Sequence, residues 1–210
     1  MFLCRYNERM PKQVNRDQRR QIIAEATWEI ILIKGIEGTT VRAIAEEANL
    51  SLGSLRHYFS SQEELLSYSM ELVKERVTER LEKKFEQNMP MDELLVHFLL
   101  EIIPLEDQSR LEMTVWFHFM ANTQFRHKFK GDDGILQALQ QLLPILEVNG
   151  RLKPDLELLE EIEILYALVD GLAVHCLFTP QRLTRERIVP IILKQVNRLL
   201  LNPLPSSKFL

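Results

Sequence analysis

The 210-residue sequence has few of the residues that mark several other classes of protein. It contains two cysteines, seven glycines and two tryptophans, and no apolar run approaches the roughly 20 residues that cross a bilayer. Cys4 and Cys176 lie far apart and show no ligand spacing, so the sequence predicts neither a disulfide nor a metal site. Nothing near the N-terminus resembles a signal peptide, which favours a soluble protein of the cytoplasm.

Motifs of catalysis are also missing. The sequence has no glycine-rich phosphate loop, no zinc-ligand spacing, no paired catalytic carboxylates and no Ser-His-Asp pattern. The five histidines are His57, His97, His118, His127 and His175. No two of them stand four residues apart, as two metal ligands on one helix often do. We therefore expect a protein that is not an enzyme and that uses no cofactor.

The charge is distributed unevenly along the chain. The formal net charge is −4. Residues 1–60 hold nine basic and seven acidic side chains, so this part carries +2 and the remainder −6. A mildly basic N-terminal part followed by an acidic remainder suits a protein that presents only one end to phosphate groups.

Apolar residues recur at helical spacing along almost the whole chain, and no convincing alternation with a period of two appears. The sequence therefore predicts an all-α protein. Gly35 and Gly38 are expected to end the first helix, because glycine supplies the backbone freedom that a tight connection needs. Pro144 and Pro190 fall inside predicted helices and are expected to kink or restart them.

The segment between Thr39 and Phe59 is the most informative part of the sequence. Thr40 and Ser51 are suited to cap two helices of fewer than three turns each, and Asn49 suits a left-handed turn between them. Helices this short must bury an apolar seam, which is supplied by Ile44, Ala48, Leu50, Leu55 and Phe59. This pattern predicts a helix-turn-helix, whose second helix lies in the major groove of DNA.

Polar side chains on and around the second short helix can donate hydrogen bonds to phosphates or base edges. The candidate DNA contacts are Thr40, Arg42, Ser51, Leu52, Gly53, Ser54, Arg56, His57, Tyr58 and Gln62. The alternative is an ordinary helical hairpin with solvated polar residues, which would serve as a protein-interaction module without sequence-specific DNA binding.

The same segment resembles the tetracycline-repressor (TetR) family. The resemblance rests on the pattern Gly38-x-Thr40-x-Arg42-x-Ile44-Ala45, followed by Ser51-x-Gly53 and His57-Tyr58-Phe59. Later stretches are similar to the BetI-like subgroup, and they are Trp116-Phe117-His118-Phe119, Gly150-Arg151-Leu152-Lys153-Pro154-Asp155 and Leu168-Val169-Asp170-Gly171-Leu172-Ala173. Arg56 and Gln62 stand where the family often has a phosphate-binding tyrosine and lysine. We therefore expect the contacts to DNA phosphates at these two positions to differ from those of the family.

The resemblance implies a three-helix DNA-binding head and a larger helical-bundle body that binds a small effector and dimerises. We expect a repressor that a small molecule releases from a pseudo-palindromic operator. Its partners would be double-stranded DNA, a second copy of itself and an unidentified small-molecule effector. We expect no membrane association. The expected organisation is a disordered or mis-started arm at 1–14, the head at 15–60, the body at 61–201 and a flexible tail at 202–210.

A dense aromatic and thioether cluster in the body, with a few polar groups on apolar stretches, predicts an effector pocket. Its candidate residues are His97, Met113, Trp116, Phe117, His118, Met120, Tyr166 and Asp170. Trp116 offers a cation–π face to a cationic effector. A plain hydrophobic core is the alternative interpretation of the same cluster.

Two helices predicted near residues 155–178 and 184–201 are apolar over much of their circumference. Such helices favour a two-fold, four-helix interface between copies of the chain. The candidate interface residues are Leu158, Ile162, Leu165, Val169, Leu172, Ile192, Val196 and Leu199. Burial within a single chain is the alternative.

Overall fold

The computed structural model describes residues 12–85, 89–121 and 134–209. Within these ranges the chain forms nine α-helices and one short 3₁₀ turn, Ser206–Lys208. The helices are α1 Lys12–Lys34, α2 Val41–Glu47, α3 Leu52–Tyr58, α4 Gln62–Phe85, α5 Met91–Ile102, α6 Asp107–Ala121, α7 Gly134–Val148, α8 Leu158–Phe178 and α9 Arg185–Leu199. The predicted all-α fold is confirmed.

The chain divides into two compact units. The head extends to Val73 and the body begins at Lys74, so α4 contributes to both units. The first turns of α4 therefore join the three predicted helices of the head. Along the described ranges, no helix combines the length and the apolar character that crossing a membrane requires.

A seam of apolar side chains from all four helices holds the head together. Its buried members are Ile23, Ile44, Ala45, Leu55, Phe59 and Leu65. Ile44 of α2 and Leu55 of α3 are 0% and 1% exposed. Since α2 and α3 have only seven residues each, neither is stable in isolation. Burial of the seam is what stabilises them.

Two glycines end α1, as the sequence predicts. Gly35 has a positive φ of 68°, and its N–H donates to the carbonyl of Ile31 at 2.9 Å. A Cβ on Gly38 would lie 2.6 Å from both the Cβ and the carbonyl oxygen of Lys34. Glycine is thus required at one position by backbone conformation and at the other by close approach.

The body has one large apolar core, to which α5, α7, α8 and α9 contribute. The start of α5 is anchored to the loop before α8, because the buried carboxylate of Asp92 pairs with Arg151. A backbone bridge between Leu152 and Leu200 then fixes this loop to the end of α9. The loop is therefore an ordered part of the body.

The structure differs from the predicted flexible tail at the C-terminal end, because Leu204 and Phe209 pack against the body. Phe209 is 3% exposed and belongs to the body core. The Asn197 side chain donates to the carbonyl of Leu204 at 3.0 Å and accepts from its N–H at 2.8 Å. Lys208 pairs with Glu93 at 2.5 Å. Lys208 and Glu93 lie 115 positions apart in the sequence, so no local pattern predicts their contact.

Two further predictions need correction. α1 begins at Lys12, so the last three residues of the predicted arm are helical, and residues 1–11 lie outside the described ranges. Neither Pro144 nor Pro190 restarts its helix, since α7 and α9 continue through both positions, while the predicted kinks stay a prediction. Each proline removes one backbone hydrogen bond, while the buried apolar faces of these helices keep the flanking turns in place.

We predict that Gly38→Ala destabilises the protein, because the added Cβ overlaps the backbone of α1. Overpacking of this kind costs about 1–3 kcal/mol, and thermal unfolding measures it. Gly134→Ala is the control, since a Cβ there meets nothing within 4 Å. Equal melting temperatures for the two variants would contradict the assignment of close packing at Gly38.

Candidate DNA-binding surface and effector site

The turn between α2 and α3 is built from local hydrogen bonds. Asn49 adopts a positive φ of 53°, as the sequence predicts. The N–H of Leu50 donates to the carbonyl of Ala45 at 2.8 Å, and the N–H of Asn49 donates to that of Glu46 at 3.2 Å. These two bonds form a Schellman motif, which satisfies the last carbonyls of α2 and redirects the chain into α3.

Both short helices have the predicted N-caps. The Thr40 hydroxyl accepts from the N–H of Ala43 at 3.2 Å, and the Ser51 hydroxyl accepts from the N–H of Ser54 at 3.1 Å. Each cap satisfies one N–H that the first turn would otherwise leave without a partner. The orientation of α3 therefore depends on a capped start and on a single buried anchor, Leu55.

The structure brings the predicted DNA contacts together on α3, on its N-cap and on the starts of α2 and α4. Nine of the ten are exposed, and Tyr58 is half-buried. The exposed nine are Thr40, Arg42, Ser51, Leu52, Gly53, Ser54, Arg56, His57 and Gln62. A Cβ on Gly53 would meet only the Ser51 hydroxyl at 3.9 Å, so internal packing does not require glycine there.

Gln62 has an internal role that sequence reasoning missed. Its side-chain amide donates to the carbonyl of Thr39 at 2.6 Å. Thr39 is fully buried, and its hydroxyl donates to the carbonyl of Gly35 at 2.7 Å. Gln62 therefore ties the start of α4 to the segment that leads into α2.

Arg20 on α1 is a second residue that sequence reasoning missed. Its guanidinium lies 4.4 Å from the ring centre of Phe59 and 4.6 Å from that of Tyr68. It also contacts the Glu64 carboxylate at 3.3 Å. Hydrogen bonds from the backbone and hydroxyl of Ser60, with the nearby Arg20, lower the pKa of Glu64. Arg20 thus joins α1 to the end of α3 and the start of α4.

In the described part of the body, the predicted pocket residues do not gather around a cavity between α4, α5 and α6. This cavity measures about 190 Å³, and of the eight predicted residues only His97 lines it. The five predicted residues on α6 are partly exposed, and they are Met113, Trp116, Phe117, His118 and Met120. Tyr166 and Asp170 are also partly exposed. The aromatic cluster of α6 is therefore not the lining of this cavity.

A network of charged side chains forms part of the cavity wall. Arg80 of α4 contacts the Glu101 carboxylate at 2.5 Å and binds Glu112 through two hydrogen bonds of 2.7 and 3.1 Å. Lys84 contacts the second oxygen of Glu101 at 3.3 Å. Glu112 is 2% exposed, and a buried charge of this kind requires its partner. Arg80 is therefore engaged in holding α4, α5 and α6 together.

His97 lines the same cavity from α5. Its ring centre lies 5.1 Å from that of Phe209. Burial, reinforced by the positive charges of Lys84 and Arg185, lowers the pKa of His97 from its ordinary value of 6.5. The imidazole is therefore neutral near pH 7.

The predicted interface residues also require correction. Seven of the eight lie in the core of their own chain, where a partner cannot contact them, and they are Ile162, Leu165, Val169, Leu172, Ile192, Val196 and Leu199. Leu158 packs against the same core. α8 is apolar on two faces, and the sequence pattern did not distinguish the internal face from the external one.

The outward face of α8 carries the exposed apolar row. This α8 stripe has the spacing 3-4-3-4 and consists of Ile164, Ala167, Gly171, Val174 and Phe178. Phe178 is 65% exposed and Ile164 is 41% exposed. Leu159 on α8 and Ile191 on α9 are further exposed apolar residues. Large exposed apolar patches mark interaction surfaces.

The described ranges contain neither a candidate metal site nor a disulfide. No group of three or more histidine, cysteine, aspartate or glutamate side chains there is placed to hold a metal ion. Cys176 is buried and carries no disulfide, and burial raises the pKa of its thiol.

The capped helix pair with its exposed second helix is the architecture of a helix-turn-helix DNA-binding regulator. Comparison with known families agrees. The model described as "Bacterial regulatory proteins, tetR family" matches residues 23–68, and that described as "BetI-type transcriptional repressor, C-terminal" matches residues 90–201. The chain belongs to the tetR family of bacterial transcriptional regulators.

A similar curated protein is the HTH-type transcriptional regulator PksA of Bacillus subtilis (strain 168). The two are 44% identical over 191 residues, which cover 89% of this chain and 92% of PksA. The HTH-type transcriptional regulator AcrR of Shigella flexneri is 26% identical over 183 residues, covering 78% of this chain and 80% of AcrR.

Solved structures share the fold. A putative transcriptional regulator from Saccharomonospora viridis in complex with choline has a TM-score of 0.76 at 19% identity, covering 89% of this chain and 100% of that protein. NalD, the secondary repressor of the MexAB-OprM multidrug efflux pump in Pseudomonas aeruginosa, has a TM-score of 0.68 at 21% identity, covering 90% and 98%.

We predict that His97 makes the stability of the protein depend on pH. Because the pKa of His97 is lowered in the folded state, the unfolded chain binds the proton more readily. The free energy of unfolding therefore falls as the pH drops below the ordinary value of 6.5. The melting temperature should therefore decrease less between pH 7.5 and pH 5.5 in His97→Gln than in the wild type.

The control replaces another imidazole in the body, since His175 on α8 is exposed. His175→Gln should keep the wild-type pH dependence. If the melting temperatures of His97→Gln and the wild type decrease equally between the two pH values, protonation of His97 does not affect stability.

Proposed function

We propose that the chain is a repressor that binds a two-fold operator as a homodimer and is released by a small-molecule effector. The observation that carries the proposal is the exposed face of α3. Leu55 is the one fully buried residue of this helix, Tyr58 is half-buried, and the other five residues are exposed. A dimer presents two such helices to successive major grooves, about 34 Å apart or somewhat more.

The proposed contacts divide into two chemical groups. Arg42 and Arg56 carry charge toward phosphates or guanine edges, while Ser51 and Ser54 supply hydroxyls. Arg42 is exposed and its ion pair with Glu46, at 3.1 Å, is weak because both partners are solvated. Arg56 makes no hydrogen bond or ion pair within the described part of the chain. It is therefore available to DNA without losing an internal contact.

We infer that the α8 stripe joins two copies of the chain. Its exposed apolar row can pair with the same row of a second copy around a two-fold axis, as isologous interfaces require. The small residues Ala167 and Gly171 lie in the middle of the row and permit close approach of two helices. Ile191 of α9 is exposed as well and is a second candidate for the interface.

The body is proposed to bind the effector without transforming it. The choline found with the Saccharomonospora viridis protein supports a small-molecule ligand for this fold. α4 runs from Gln62 into the body and is the proposed route of coupling. The effector must prefer the conformation that does not bind the operator. We place this activity in the cytoplasm, where operator DNA is found.

The proposal is tested by fluorescence polarisation with a pseudo-palindromic duplex taken from beside the gene for this protein. Binding should be tight, selective for sequence and weakened by salt. Weak binding that does not distinguish the duplex from a scrambled one would contradict the proposal.

We predict that Arg56→Gln weakens operator binding without unfolding the head, because Arg56 is exposed. Loss of a phosphate or base contact should cost about 1–3 kcal/mol. If the contact is to phosphate, the slope of log affinity against log salt falls by about 1. Arg182→Gln removes the same charge from an exposed position in the body and should leave both quantities unchanged. Equal affinities for the two variants would remove Arg56 from the proposed surface.

We predict that Phe178→Asp converts the dimer to a monomer, because it places a charge on the most exposed apolar side chain of the α8 stripe, which is 65% exposed. Analytical ultracentrifugation at micromolar concentration measures the change. Val148→Asp is the matched control, since Val148 is 86% exposed on α7 and lies outside the α8 stripe. A Phe178→Asp protein that stays dimeric would show that the α8 stripe is not the interface.

A further inference from the structure

The charged side chains that line the cavity in the body are of two kinds. Some form ion pairs with one another, and others form no ion pair with a described side chain. Arg80 and Lys84 are neutralised by Glu101 and by the buried Glu112. These four side chains form a closed network of ion pairs, and a ligand could recruit them only by breaking it. They therefore do not select the charge of a ligand.

Two charged residues of the lining stand outside this network, and their signs are opposite. Arg185 and Glu106 both line the cavity, and neither forms an ion pair with a side chain of the described residues. Arg185 donates only a long hydrogen bond, 3.5 Å, to the carbonyl of Phe209. Both side chains belong to exposed residues, so they are hydrated when the cavity holds no ligand.

The packed tail helps to position this cavity. The ring of Phe209 packs against His97, and its carbonyl accepts from Arg185, so two lining residues contact one buried anchor. Phe209 contacts both residues but is not itself part of the lining. The burial of Phe209 in the body core therefore helps to hold these two lining residues in place.

The size of the cavity limits the ligand. A volume of about 190 Å³ is smaller than the roughly 300–1,000 Å³ of pockets for drug-sized ligands. A molecule of amino-acid size fits this space, whose lining includes both Arg185 and Glu106.

We propose that this cavity is the effector site and that it binds a small zwitterion, a molecule with both a carboxylate and an ammonium group. The carboxylate pairs with Arg185 and the ammonium group with Glu106. A simple cation such as choline leaves Arg185 without a partner, and a simple dianion leaves Glu106 without one. The assignment as effector site rests on the proposed function, but the binding site itself does not.

The test is isothermal titration calorimetry of the full-length protein with a panel of the twenty L-amino acids, choline chloride and sodium succinate. At least one amino acid should bind saturably. Arg185→Gln and Glu106→Gln should each weaken that binding at least tenfold, while Arg182→Gln and Glu147→Gln, which change exposed charges outside the cavity, should not. Unchanged melting temperatures without ligand would show that the variants fold.

Three results overturn the proposed site. They are binding of choline or succinate but of no amino acid, no binding at all, and equal weakening by the cavity and control variants. Operator affinity is measured separately with the bound amino acid at saturation. If the amino acid binds and affinity for the operator is unchanged, the zwitterion site stands and its role as effector site fails.

Discussion

α2 and α3 have seven residues each, too few turns to persist alone, so the head depends on the apolar seam that these helices bury. Ile44 and Leu55 point into that seam and leave the rest of α3 exposed. The exposure of the DNA-binding face is thus a consequence of burying the opposite one. Arg20 and Gln62 secure the ends of the motif through contacts that span more than 20 residues.

Local rules account for what could be predicted from the sequence. Asn49 adopts a positive φ because an asparagine tolerates that conformation, and Thr40 and Ser51 cap their helices through bonds to residues three positions away. Each of these features is determined within a few residues. The helix-turn-helix could therefore be read directly from the sequence, and the family relationship agrees with it. The individual DNA contacts stay predictions.

Features determined by distant residues could not be predicted. The periodicity of α8 shows two apolar faces, and only the packing of the whole body decides that Val169 is internal while Phe178 is external. The docking of Phe209 and the ion pairs of Arg80 likewise join residues separated by long stretches of chain. The cavity follows from these contacts, so its lining could not be predicted from local pattern, and the effector role of the aromatic cluster on α6 stays a prediction.

The central claim is that two copies of the head read one two-fold DNA site. Hydroxyl-radical footprinting of the full-length protein on DNA from beside its gene tests this claim most directly. The account predicts two protected patches on one face of the duplex, related by two-fold symmetry and centred about one helical turn or somewhat more apart. A single patch without a symmetry-related partner, or protection that does not depend on sequence, would contradict it.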